Sequence, residues 1–249
     1  MQTASLTAVG LVRNHNEDVI FVTTDPIGPL PNLFIVADGM GGHNAGEVAS
    51  QKSVEFSCRF IKNAPQATTP DDIQGLLVSA AEKANDDVYK LAQQDSELNG
   101  MGTTFSACVV LGDNLVTAHI GDSRIYFITP DDITQITTDH TYVQELVQAG
   151  SITAREAKTH PRRNQLTRTL GFEPKVTADG AVHSLKGVHS VLLCSDGLTD
   201  MLSNEEILNI INLDISVDKR VQALIDAANN QGGEDNISAI IIDVKGEIH

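Results

Sequence analysis

Apolar runs of β type come in groups along this chain, and helical stretches come in pairs between the groups. Val19 to Thr24, Leu33 to Ala37, Thr103 to Leu111, Val116 to His119, Arg124 to Ile128, Val188 to Cys194 and Ile237 to Val244 are short and rich in Val, Ile, Phe or Thr, as strands are. Glu47 to Ile61 predicts one helix. Thr69 as N-cap and Pro70 at the first helical position open a second, running to about Leu91. Thr153 with Glu156, and Ser203 with Glu206, have capping-box spacing. A doubly wound parallel sheet requires strict alternation of strand and helix. This order breaks that alternation and predicts antiparallel sheets with helices packed outside. No linker-like tract or internal repeat interrupts the 249 residues, so one domain is expected over 1–249.

Aspartates stand where the apolar runs end, beside glycines. Leu33 to Ala37 leads into Asp38-Gly39-Met40-Gly41-Gly42-His43, Val191 to Ser195 leads into Asp196-Gly197, and Gly232-Gly233-Glu234-Asp235-Asn236 precedes the run from Ile237. A carboxylate at the mouth of a buried strand is poorly solvated, and several together need a cation. Oxygen ligands without Cys/His spacing favour Mg²⁺ or Mn²⁺ over Zn²⁺. The plain alternative is that each Asp-Gly is a turn. Charge points the same way as the cation reading: 17 basic against 33 acidic residues give −16, which repels polyanions. With aromatics at 4% and no Trp, nucleic acid is excluded as a substrate class. No apolar run is long enough for a membrane span.

Read in order, Arg13-x-x-x-Glu17-Asp18, Asp38-Gly-Met-Gly-Gly-His43, Gly102-Thr103-Thr104, Ala118-x-x-Gly121-Asp122-Ser123-Arg124, Thr138-Asp139-His140, Ser195-Asp196-Gly197-Leu198-Thr199-Asp200 and Asp235-Asn236 form a series that resembles the type 2C, metal-dependent protein serine/threonine phosphatases. The resemblance runs from about Leu6 to Val244. It implies an α+β fold, a four-layer αββα sandwich of two central antiparallel sheets flanked by helix pairs, with a binuclear Mn²⁺/Mg²⁺ centre at one end. It further implies that Asp38 bridges two ions, that Asp196 and Asp235 complete the protein ligands of the first, and that the Gly39 carbonyl serves the second. Glu17 and Asp18 match acids that hold the second ion or its waters, and Arg13 matches a phosphate-binding arginine. For Arg13 the alternative is a surface salt bridge with Glu17, four residues on. Asp122 matches a position that helps Asp196 hold a weaker third ion in bacterial relatives, against the alternative of a turn acid. Asp200 and Asn236 look like supports for neighbouring ligands, and Gly102-Thr103-Thr104 is expected to begin a core strand and bind nothing.

Met40 stands where eukaryotic members carry His, so the pattern is that of the bacterial branch. His43 is left as an acid, a support or a structural cap. A variable flap is expected at 142–175. Between Arg155 and Lys175 it carries six basic against two acidic residues, which would either guide a phosphoprotein or pair with the acidic body. The implied activity is hydrolysis of phosphoserine and phosphothreonine in phosphoproteins, opposing a Ser/Thr kinase. The competing readings are a phosphatase of small phosphoesters and a degenerate phosphoprotein-binding module. Cys58, Cys108 and Cys194 form no disulfide or zinc pattern, and residues 1–10 lack a leader pattern. A cytoplasmic monomer is expected.

Overall fold

The computed structural model describes residues 1–42 and 45–244. A five-stranded antiparallel sheet has the order β1 (Gln2–Ala8), β11 (Ile237–Asp243), β10 (Ser190–Cys194), β7 (Arg124–Ile128), β8 (Ile133–Gln135). A six-stranded sheet runs β2 (Asp18–Thr23), β3 (Leu33–Met40), β5 (Phe105–Leu111), β6 (Asn114–Ile120), β9 (Asp179–Ser184), with the two-residue β4 (Gly102–Thr103) pairing the end of β3. Helices α1 (Ala45–Lys62) and α2 (Pro70–Gln94) cover the six-stranded sheet, against β3, β6 and β9. On the far side, α7 (Val217–Asn230) packs on β1 and β11, and α6 (Asn204–Ile211) lies against α7 and β8. The result is the four-layer αββα sandwich.

Side-chain alternation explains why the strands read as continuous apolar runs. Along β3, Leu33, Ile35 and Ala37 face α1 and α2, while Phe34 and Val36 face the other sheet. Along β11, Ile237, Ala239 and Ile241 face the helices, while Ile240 and Ile242 face inward. Both faces of each central strand are buried, so polar alternation disappears. Local chemistry starts the helices as expected: Thr69, Thr153 and Ser203 each cap reciprocally with the acid three residues on.

Three differences from the sequence reading bear on the site. First, β3 does not stop at Ala37. It continues through Asp38 and Gly39 to Met40, with Gly39 opposite Thr103. Asp38-Gly39 is therefore strand and not turn. Only glycine fits there, since a Cβ would lie 2.1 Å from the Gly46 carbonyl oxygen and 2.6 Å from that of Glu17. Second, β1 pairs β11 over its whole length, although Gln2–Ala8 carries little apolar signal. Third, β4 and β5 are separate strands broken at Thr104, which turns back to Asp38.

Candidate metal centre

Strand ends from both sheets deliver the acids to one place. Asp18 opens β2 and lies directly opposite Asp38 in the β2–β3 register. Asp196 begins α5 (Asp196–Thr199), a single helical turn that follows β10. Asp235 lies two residues before β11, and Asp122 sits in the turn between β6 and β7. Like charges placed opposite each other on a sheet repel, and the acids respond together. Burial, then Asp18, Asp196, Asp122 and Asp235, push the Asp38 carboxyl well above its usual range. Burial raises Asp18 to about 7, with Asp196 and Asp235 adding to the rise. Burial, Asp200 and Asp235 raise Asp196 to about 6. Burial, Asp196 and Asp139 push Asp122 well up. Asp38 and Asp196 each perturb the other's carboxyl, and carboxylates so placed call for a proton or a cation between them.

Two carboxylate oxygens in this cluster, Asp18 Oδ1 and Asp196 Oδ1, are buried without a hydrogen-bond partner. Such orphans are costly unless something occupies them. Among the described residues, no three His, Cys, Asp or Glu side chains form a ready-made cage for one ion.

The supports of the acids come from distant parts of the chain. Asp38 N–H donates to Thr104 Oγ1 at 2.9 Å, and the Asp38 carbonyl accepts from Thr104 N–H at 2.8 Å and Thr103 Oγ1 at 2.9 Å. Gly102-Thr103-Thr104 therefore does more than begin a strand: its two threonines grip the backbone of Asp38. Asn236 ties down the loop that bears Arg13. Its Oδ1 accepts from Glu17 N–H at 2.8 Å, and its Nδ2 donates to the Val9 and His15 carbonyls, each at 2.9 Å. The half-buried Glu17 lies against the start of α1, where a Cβ on Gly46 would come within 2.6 Å of its Oε1, and burial raises its carboxyl. Gly121, at φ +103, shapes the Asp122 turn. Its N–H donates to His140 Nδ1 at 3.0 Å, so His140 carries its proton on Nε2, facing Asp179 Oδ2 at 3.0 Å. His140, which the sequence offers only as part of a motif, is thus a clamp on that turn.

Arg13 does not pair with Glu17. Its Nη2 meets Asp235 Oδ2 at 2.8 Å, across 222 residues of sequence. Asp200 is exposed at the rim, 3.8 Å from Arg163 of the segment 142–175. In that segment Arg168 pairs with Asp179 at 2.6 Å and Arg162 stacks on Tyr142, so part of its positive charge is engaged within the protein. The segment returns to the site through Leu170, whose backbone pairs with Thr103. A groove of about 920 Å³ lies between it and the α5–α6 region, opening onto Asp122 and Asp196 and lined further by Val147, Lys158, Arg163 and Asp200. His43 lies outside the described residues.

The protein phosphatase 2C model matches residues 13–241. The chain belongs to the protein phosphatase 2C family. It is a serine/threonine protein phosphatase. Over 236 residues the phosphatase is 37% identical to the serine/threonine phosphatase stp of Listeria innocua, covering 94% of this chain and 92% of that one. Its fold superposes on the crystal structure of serine/threonine phosphatase Stp1 from Staphylococcus aureus with a TM-score of 0.91 at 32% identity, over 98% of this chain and 95% of the other. The catalytic domain of the serine/threonine protein phosphatase PstP, solved in complex with two manganese ions, superposes with a TM-score of 0.82 at 34% identity over 97% of each chain. These likenesses decide for the protein phosphatase over the small-phosphoester and binding-module readings. Among the described residues, no helix of the phosphatase is long and apolar enough to cross a membrane, and Cys58, Cys108 and Cys194 are free and buried.

Proposed function

We propose that the phosphatase hydrolyses phosphoserine and phosphothreonine at a binuclear Mn²⁺ or Mg²⁺ centre built on Asp38. Asp38 would be the ligand common to both ions, Asp196 and Asp235 would serve one, and the Gly39 carbonyl with Glu17 and Asp18 would serve the other or its waters. Asp122 would join Asp196 in holding a weaker third ion. The observation that carries this reading is the pair of buried, unpartnered oxygens, Asp18 Oδ1 and Asp196 Oδ1, inside an all-oxygen cluster. Such donors match hard divalent ions, and PstP supports the metal identity through its two manganese ions. When bound, the ions supply an acidified water as nucleophile and positive charge for the phosphoryl oxygens.

The chain's own contribution is binding and orientation. Arg13 spends one N–H on Asp235, which holds the guanidinium at the rim, and its planar fork has further donors for two phosphoryl oxygens. Thr103 and Thr104 fix the strand end that presents Asp38. Asn236 keeps Arg13 and Glu17 on one rigid loop. The segment 142–175 is a flap on a single catalytic domain spanning 1–249. The free thiols fit a reducing, cytoplasmic compartment, where the phosphatase would act as a monomer opposing a Ser/Thr kinase.

Chelation should abolish phosphopeptide turnover, and Mn²⁺ should restore it. Asp38→Ala should lose both turnover and tight Mn²⁺ binding by calorimetry. Full activity in excess chelator would overturn the reading.

A further inference from the structure

Asp18 belongs to the six-stranded sheet, yet its carboxylate is held by the five-stranded one. Ser195 Oγ, just past β10, donates to Asp18 Oδ2 at 2.8 Å, and Ser238 Oγ, in β11, donates to the same oxygen at 2.7 Å. The two serines are locked to each other: Ser238 N–H donates to Ser195 Oγ at 3.0 Å, and Ser195 N–H to the Ser238 carbonyl at 3.1 Å. A relay stands behind Ser238. Because Ser238 has one hydroxyl proton and donates it to Asp18 Oδ2, its oxygen is left to accept from Thr7 Oγ1 at 2.8 Å, and Thr7 Oγ1 accepts from Asn16 Nδ2 at 2.8 Å. Asn16 Oδ1 closes the ring by accepting from Asp18 N–H at 3.2 Å.

This is an uneven way to satisfy a buried carboxylate. Two short donors fill the lone pairs of Oδ2, while Oδ1 of the same group is buried with none. A purely structural network gains more by giving each oxygen a donor, because a bare buried acceptor is costly. The bias makes sense if Oδ1 is kept free for something that is not a hydrogen-bond donor of the protein.

We propose that Ser195 and Ser238 are positioning residues, a two-hydroxyl clamp across the seam between the sheets that occupies Asp18 Oδ2 and presents Oδ1 alone to the divalent cation site. Asp18 then acts through one oxygen, on an ion or on a water of its shell, and the clamp fixes the spacing of the two sheets where the site needs it. The inference rests on the reading of Asp18 as part of that cation site. Partners that orient a ligand in this way commonly change metal affinity by 10- to 100-fold when removed.

The test is calorimetric titration of Mn²⁺ into the chelator-treated full chain, with the Mn²⁺-induced rise in Tm as a second readout. Ser238 carries it, since Ser195 adjoins Asp196 and its substitution would disturb that acid as well. Ser238→Thr and Ser238→Val differ only by a hydroxyl against a methyl, so both suffer the same crowding. The threonine variant should bind the ions as its own fold allows. The valine variant should bind one of them about 10- to 100-fold more weakly and show a smaller Mn²⁺-induced Tm rise. In an Asp18→Ala background the difference between the two should vanish. Equal Mn²⁺ affinities for the threonine and valine variants, in a chain whose Asp18→Ala form has lost an ion, would overturn the clamp while leaving Asp18 in the site. An Asp18→Ala form that binds Mn²⁺ like the parent would overturn the placement of Asp18 and the clamp with it.

Discussion

Replacing Asp18 by Asn tests the electrostatic picture of the metal-free site directly. Burial first, then the neighbouring acids, raise Asp18 from 3.8 to about 7. An acid raised in the folded state binds more protons folded than unfolded between those two values. Its contribution to stability is therefore complete below about pH 4 and fades as pH rises through about 7. Applied to Asp18 alone, linkage gives a loss on the order of 2 to 3 kcal/mol between pH 5 and pH 7.5. Removing the Asp18 charge also relieves Asp38, whose carboxyl it pushes up, and this acts in the same direction. Asn keeps the shape and an acceptor for the serine hydroxyls but carries no titrating proton. The assay is thermal or urea unfolding of parent and Asp18→Asn in excess chelator across pH 5 to 7.5. Comparing the two cancels the buried histidines, His119 and His140, whose lowered values make the parent lose stability on acidification. Asp18→Asn should gain on the parent as pH rises, by at least roughly 2 to 3 kcal/mol, or upwards of about 5 °C in Tm for a chain of this size. Mn²⁺ should stabilise the parent at pH 7.5 much more than the variant, since a cation then does what the proton did. A difference between the two proteins that does not change with pH would refute the reasoning.

Arg13→Ala should cost about 2 to 4 kcal/mol in kcat/KM for a phosphopeptide, by analogy with loss of one preorganised donor to developing charge; unchanged kinetics would reduce the Arg13–Asp235 contact to a surface ion pair. Asp122→Ala should keep two tight Mn²⁺ ions by calorimetry but lose any further rise of activity at high Mn²⁺, and a drop in tight stoichiometry would place Asp122 in the first pair. Gly46→Ala should lower stability by about 1 to 3 kcal/mol despite the better helix propensity of Ala, because its Cβ would meet Gly39 backbone carbon at 2.9 Å as well as Glu17; a variant with a higher Tm would show that α1 can move away from β3 freely.

Much of this protein was legible in one dimension because the information is local. The caps at Thr69, Thr153 and Ser203 act within three residues, and the apolar runs of β3, β10 and β11 announce strands buried on both faces. The motif series, read in order, carried the family and its fold. Tertiary structure decided what depends on register and distance. Asp18 faces Asp38 because β2 and β3 pair in one register, and a slip of one residue would turn those carboxylates to opposite faces. Arg13 found Asp235 and not Glu17 because the loop around it is tied to Asn236 and Gly233 at the far end of the chain. The threonines behind Asp38, the histidine behind Gly121 and Ser195 behind Asp18 stand in the motif series and Ser238 does not, but nothing in the local sequence says what any of them supports. They became supports only when two sheets brought their strand ends together, where a buried carboxylate must be met by whatever donors the opposing strands present.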